Sequence, residues 1–133
     1  MIVVLCHGCF DCLHYGHVLH LQAAKKLGDR LVVSITADGY TTKRAPIYND
    51  HERAHVLAAL SCVNEVYVCD AYDAVPAILR YRPDWFVKGA DYAGRGIIAE
   101  EAEACAKVGA RVAYTDTPKF STTELIAKLR TAA

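Results

Sequence analysis

The chain has 133 residues, 53% of them hydrophobic and 23% charged, and its fifteen lysines and arginines balance fifteen aspartates and glutamates. That size suits a single domain, residues 1–133, burying roughly two-thirds of the unfolded surface. The composition excludes a disordered or fibrous chain, and a formal net charge of zero lacks the basic surplus of a nucleic-acid binder.

The longest unbroken apolar run, Met1–Cys6, is far short of a membrane span and carries no basic leader. A cytoplasmic protein with no membrane partner is therefore expected, its six cysteines present as thiols. Ile2–Cys6 is continuous and β-branched, the pattern of a buried strand. Val18, Leu21, Ala24 and Leu27 recur at helical spacing, with Gly28 as the stop. Arg30–Thr36 reads as a second strand, polar Thr41–Asp50 as a loop and His51–Leu60 as a helix. That helix opens at Asn49-Asp50-His51-Glu52, a cap residue three before a glutamate. Then come a strand (Glu65–Cys69), a helix (Asp73–Tyr81), a strand (Asp84–Val87), a helix (Ile98–Lys107) and a strand (Arg111–Tyr114). The last helix opens at Ser121-Thr122-Thr123-Glu124, a capping-box pattern, and runs to Arg130.

Five strands alternating with five helices imply an α/β fold, a Rossmann-like open parallel sheet with helices on both faces and right-handed crossovers. Ligands on such sheets sit beyond the C-terminal strand ends, where strand order reverses. The segments after Cys6, Thr36, Val87 and Tyr114 are thus the places for a site.

The first of these carries the strongest signal. Gly8-Cys9-Phe10-Asp11-Cys12-Leu13-His14-Tyr15-Gly16-His17 joins strand to helix without a Walker Gly-Lys-Ser/Thr and without G-x-G-x-x-G. It places two histidines three apart, with a glycine between them, at a helix N-terminus. Free N–H groups and the positive end of the helix dipole favour an anion there. Gly16 lets a phosphate approach the backbone, and two imidazoles can donate to its oxygens.

Gly8-x-Phe10-Asp11-x-x-His14-x-Gly16-His17 resembles the G-x-F-D-x-x-H-x-G-H signature of the HxGH cytidylyltransferase-like nucleotidylyltransferases. Phe120-Ser121-Thr122-Thr123 is similar to their second hallmark, I-S-T-T, so the resemblance spans essentially the whole chain. Val87-Lys88-Gly89-Ala90-Asp91-Tyr92 is similar to the V-K-G-G-D-Y stretch of heptose-1-phosphate adenylyltransferase domains, the nearest resemblance. Glycerol-3-phosphate cytidylyltransferases typically carry an arginine before I-S-T-T. Here Thr117-Pro118-Lys119-Phe120 stands instead. A cytidylyltransferase and an FMN adenylyltransferase remain the alternatives within the class.

The resemblance implies transfer of AMP from ATP to a sugar 1-phosphate, most directly a D-glycero-manno-heptose 1-phosphate, with loss of pyrophosphate. It implies a homodimer, and Mg²⁺ held on the triphosphate largely by phosphates and water. In heptose enzymes such a domain is often fused to a sugar kinase, so here a separate protein is expected to supply that step. By the resemblance His14 and His17 are catalytic; Lys43, on the polar loop after the second strand, is placed with them as a phosphate clamp. Gly8, Cys9, Phe10, Gly16, His17, Lys88, Ser121, Thr122 and Thr123 bind nucleotide, and Asp11, Asp38, Arg53 and Asp91 bind the acceptor. Each has a plainer reading: helix capping for Ser121 and Thr122, a solvated pair for Lys43 and Arg44, a helix-surface charge for Arg53, turn chemistry for Asp38 and Asp91.

One alternative of another class is a non-catalytic metal or redox module. Cys6, Cys9 and Cys12 fall three apart, interleaved with His7, His14 and His17. A strand cysteine and a tight-turn cysteine do not converge readily, and no second C-x-x-C occurs, so no metal ligands are expected.

Overall fold

The apolar run at the start of the chain becomes the central strand of the sheet. The structure, a computed structural model, describes residues 1–42, 45–94, 96–117 and 122–132, the side chains of Asp91 and Thr122 excepted. Its elements are β1 (Val3–Gly8), α1 (Tyr15–Lys25), β2 (Arg30–Thr36), α2 (Asp50–Ala58), β3 (Glu65–Cys69), α3 (Val75–Tyr81) and β4 (Trp85–Lys88). A 3-10 turn (Ala90–Tyr92), α4 (Ala99–Val108), β5 (Arg111–Tyr114) and α5 (Thr122–Ala132) follow. All strand pairs are parallel and the order is β3-β2-β1-β4-β5.

Strand alternation sorts the core into two layers. Val4, Cys6, Leu31, Val33 and Ile35 pack with Leu21 and Ala24 of α1 and Leu57 of α2. Leu5, Val32 and Phe86 face the other way, onto Ala77 and Ile78 of α3 and Ala104 and Cys105 of α4. Successive side chains of a strand point to opposite faces, so a strand buried on both must be apolar throughout. The chain steps from β1 outward to β3, then returns beside β1 as β4. That reversal opens a crevice between the C-terminal ends of β1 and β4.

Two boundaries differ from the sequence reading for physical reasons. β1 continues two residues past Cys6, because His7 and Gly8 pair with Ser34 and Ile35 of β2. The polar side chain is accommodated by a hydrogen bond between His7 Nδ1 and Ser34 Oγ at 2.7 Å. Gly28 does not end α1 by a left-handed turn; α1 closes on Lys26 in right-handed geometry. Gly28 is needed for close approach, since a Cβ there would lie 2.7 Å from the carbonyl oxygen of Ile2. The α2 cap forms as the spacing predicts, Asn49 accepting from the Glu52 N–H at 2.8 Å and Glu52 from the Asn49 N–H at 2.9 Å. The start expected for the last helix, Ser121, lies outside the described residues. No helix among the described residues is long and apolar enough to cross a membrane.

Candidate active site

Between β1 and α1 the backbone is forced into an uncommon path. Phe10 and Cys12 adopt φ of 53° and 50°, left-handed values that cost non-glycine residues on the order of 1–3 kcal/mol each. Such a turn needs a brace, and Arg53 of α2 supplies it. Its guanidinium is buried, 2% exposed. It donates to the carbonyls of Cys9 (2.9 Å), Thr36 (2.8 Å) and Tyr48 (3.0 Å) and to Asp38 Oδ1 (2.9 Å). Asp11, 4% exposed, accepts from the N–H groups of Ile47 (2.8 Å) and Tyr48 (3.0 Å). The turn is thereby tied to the end of β2 and to the approach to α2.

The turn ends in a cap made of two histidines. His14 is the N-cap of α1, and its Nδ1 accepts from the Gly16 N–H at 3.1 Å. His17 Nδ1 accepts from the His14 N–H at 3.2 Å, completing a reciprocal capping box. The rings stack at 3.9 Å between centroids, and Phe10 meets His17 edge-on at 5.4 Å. Burial pushes His17 down to about 4, helped by His14 and His20 against the opposing pull of Asp11. Burial also lowers His14. Both rings are therefore neutral near pH 7. A neutral imidazole whose Nδ1 accepts must carry its proton on Nε2. The cap thus fixes the tautomer and leaves two Nε2–H donors at the N-terminus of α1.

These elements border a cavity of about 610 Å³ at the crevice between β1 and β4. Gly8, Cys9, Phe10, Asp11 and His17 line its β1 side, Lys88 lies on the β4 side, and Thr123 of α5 reaches it too. Lys88 is 9% exposed and lies over the rings of Phe86 (5.4 Å) and Tyr92 (4.8 Å). Among the described residues no carboxylate pairs with it. Gly16 is buried in the first turn of α1, and His14 stacks on His17, which lines the cavity, without being a lining residue itself. Lys43 and Ser121 lie outside the described residues, as do the side chains of Thr122 and Asp91; Asp91 itself is on the 3-10 turn after β4.

Asp38, Arg53 and Asp11, expected at the acceptor, each have protein partners here. Arg53 directs its donors to four protein acceptors and has no exposed edge. Asp38 is its ion-pair partner and also accepts from the Asp50 N–H at 3.2 Å. It borders a separate open cavity rather than the one at β1 and β4. Asp11 does line the cavity, with both oxygens engaged by main chain. The metal or redox reading of the cysteines fares no better. Cys6 is fully buried in the core, and burial pushes its thiol up to about 12.

Several lining residues carried no local signal in the sequence. His7 is pushed down to about 3 by burial and by Lys88. His20 of α1 hydrogen-bonds Thr115 at 2.7 Å, across 95 residues of chain. Tyr40 and Tyr72 meet edge-on, 5.1 Å apart, and line the cavity together with Asp73 and Glu101.

The family model for cytidylyltransferase-like proteins matches residues 5–128. The chain belongs to the cytidylyltransferase-like family. Among its relatives, bifunctional protein HldE of Syntrophotalea carbinolica is 39% identical over 132 residues, 96% of this chain and 26% of its own length. HldE of Koribacter versatilis is 41% identical over 132 residues, 95% of this chain and 26% of its own length. The chain thus spans about a quarter of the length of these curated relatives. The crystal structure of a lipopolysaccharide core biosynthesis protein from Thermoplasma volcanium superposes with a TM-score of 0.73 at 29% identity, covering 91% of this chain and 99% of that one. Thermotoga maritima TmcAL, bound to α-thio ATP, shares the fold at a TM-score of 0.65 and 15% identity, over 99% of this chain and 51% of that one. In this cytidylyltransferase-like chain Gly8, Cys9, Phe10, Asp11 and His17 of the signature turn line the cavity.

Proposed function

We propose that residues 1–133 act as one nucleotidylyltransferase domain that moves AMP from ATP onto the phosphate of a sugar 1-phosphate, most directly a D-glycero-manno-heptose 1-phosphate. A phosphate oxygen of the acceptor attacks the α-phosphorus. The bond from that phosphorus to the bridging oxygen breaks, and pyrophosphate leaves with the electron pair while a new phosphoanhydride forms. No covalent enzyme intermediate is required, so positioning and charge stabilisation supply the rate.

The observation that carries this reading is the histidine cap. Two neutral rings, held at a helix N-terminus with the proton on Nε2, are preorganised donors for the negative charge that grows on the α- and β-phosphates. Lys88 supplies a cation for a phosphate, and Thr123, with Ser121 and Thr122 beside it in sequence, a hydroxyl-rich start of α5. Lys43 is assigned to the phosphates from its place in the sequence after β2, and Asp91 to the acceptor on the family resemblance. Among the described residues no three His, Cys, Asp or Glu form a metal cage. By the resemblance Mg²⁺ enters as part of the ATP substrate, held largely by phosphate oxygens and water. The likeness to HldE over nearly the whole chain favours adenylyl over cytidylyl transfer.

The test is pyrophosphate release from ATP and, in parallel, CTP, with heptose 1-phosphate, glycerol 3-phosphate and FMN as acceptors. Release with ATP and heptose 1-phosphate is expected. Release only with CTP and glycerol 3-phosphate would replace this reading with the cytidylyl one, and none at high enzyme would end both. By resemblance the enzyme works as a cytoplasmic homodimer, which sedimentation velocity of the purified chain checks.

A further inference from the structure

The acceptor must be read somewhere, and three of the residues assigned to it from sequence, Asp11, Asp38 and Arg53, are engaged by protein partners. The cavity has a second wall that the phosphate chemistry does not use. It is made by the turn after β3 and by the first turn of α4. Glu101 of α4 is 4% exposed and lines the cavity. One carboxylate oxygen, Oε2, accepts from the buried Ala74 N–H at 2.9 Å. Among the described residues the other oxygen has no hydrogen-bond partner. Asp73 is similar: Oδ1 accepts from the Val75 N–H at 3.0 Å, and the residue lines the same wall. Tyr72, 69% exposed, meets half-buried Tyr40 edge-on at 5.1 Å, and both rings line the same cavity as the two acids.

The cavity lining is therefore of two kinds. Lys88, nine-tenths buried with no hydrogen bond or ion pair among the described residues, and His17 supply a cation and an N–H donor, while Glu101 and Asp73 supply carboxylate oxygens. An ammonium that lines the cavity with no carboxylate paired to it among the described residues favours an anion there, and a carboxylate repels one while accepting well from hydroxyls. A sugar phosphate has the matching groups: a charged end, a face of hydroxyl donors, and C–H groups suited to an aromatic surface.

Resting on the proposed transfer to a sugar 1-phosphate, we infer that Glu101 and Asp73, with the Tyr40–Tyr72 pair, form the subsite that reads the acceptor's hydroxyls, with its phosphate toward Lys88. Glu101 is a specificity-determining residue. The oxygen that holds Ala74 fixes the carboxylate, and the other selects the substrate.

The decisive variant is Glu101→Gln. Its amide oxygen can still accept from Ala74, so the thermal midpoint is expected to stay close to that of the parent. Binding of D-glycero-manno-heptose 1-phosphate, mannose 1-phosphate and glycerol 3-phosphate is measured by calorimetry on the full chain, alongside the KM for ATP and for each acceptor. The dissociation constants of both sugar phosphates should rise about ten-fold, the equivalent of ~1.4 kcal/mol. Glycerol 3-phosphate and the KM for ATP should change less than about two-fold. Unchanged sugar binding overturns the subsite, as does a rise in the KM for ATP instead, which would assign Glu101 to the ribose. Turnover is read separately. Glu101-dependent sugar binding without pyrophosphate release keeps the subsite and ends the transfer reaction. Release with Glu101-independent binding does the reverse, and no sugar binding by the parent chain ends the subsite outright.

Discussion

The two walls of the cavity are assembled at different ranges of sequence. On the β1–α1 wall, the Gly16 N–H to His14 and His14 N–H to His17 contacts close over two and three residues. On the other wall, Ala74 meets Glu101 across 27 residues, and Tyr40 and Tyr72 come from the separate turns after β2 and β3. The local wall is pre-shaped by its own backbone, left-handed residues included, and depends on a remote brace only to hold that shape. The distant wall exists only once both layers of the core have packed. A local, strained wall suits the chemistry that needs fixed donors. A wall drawn from several elements can change by single substitutions without disturbing the turn, which suits substrate choice.

The largest expected effect tests the local wall directly. His17→Gln should lower kcat by about 10²–10³, the cost of one lost preorganised donor, measured as pyrophosphate release at saturating substrates. A loss under ten-fold would remove the histidines from the centre of the mechanism. Next in size is the brace. Arg53→Met should cost about 3 kcal/mol of unfolding free energy, because it leaves buried carbonyls and Asp38 without their donor. Urea denaturation reads this. If stability is retained and only acceptor KM rises, Arg53 contacts substrate and the framework assignment fails.

The buried histidines give the third prediction. The ordinary histidine pKa is 6.5, against about 4 for His17 and about 3 for His7 in the folded chain. As pH falls below 6.5 the unfolded chain takes up protons that the folded chain refuses. Stability is therefore full above pH 6.5 and is lost progressively down to about pH 3–4. Urea midpoints at pH 7, 5.5 and 4.5 should decline in that order, and a flat series would contradict the burial of these rings. The smallest effect concerns the distant wall. Tyr72→Ala removes an exposed ring, so the thermal midpoint should stay within a degree or two while the acceptor KM rises about three-fold. An equal rise for ATP would move Tyr72 to the nucleotide.

What could be read in advance follows the same division. Gly8–His17 and Asn49–Glu52 are local patterns, where the chain's own spacing fixes who meets whom, and β2, β3 and β5 form over the residues that the apolar runs delimit. The partners of Arg53 are not legible in the sequence, because a charged residue on a helix facing a ligand edge looks the same whether it meets a substrate or three carbonyls. Its burial depends on where β2 ends and how the loop to α2 returns, which no short window contains. Glu101 likewise sits in an ordinary acidic first turn of a helix and acquires meaning only from α3 packing beside α4. Gly28 was recognised as special for the wrong reason: the constraint is a strand carbonyl across the turn, not the helix end.

The capping box has one last consequence. An imidazole tethered to the main chain through one nitrogen, and already protonated on the other, cannot ferry a hydrogen ion from one side of itself to the other. The rings of His14 and His17 are wired as static dipoles. In the proposed transfer they donate to phosphate, which is already ionised at neutral pH, and take no proton from the acceptor.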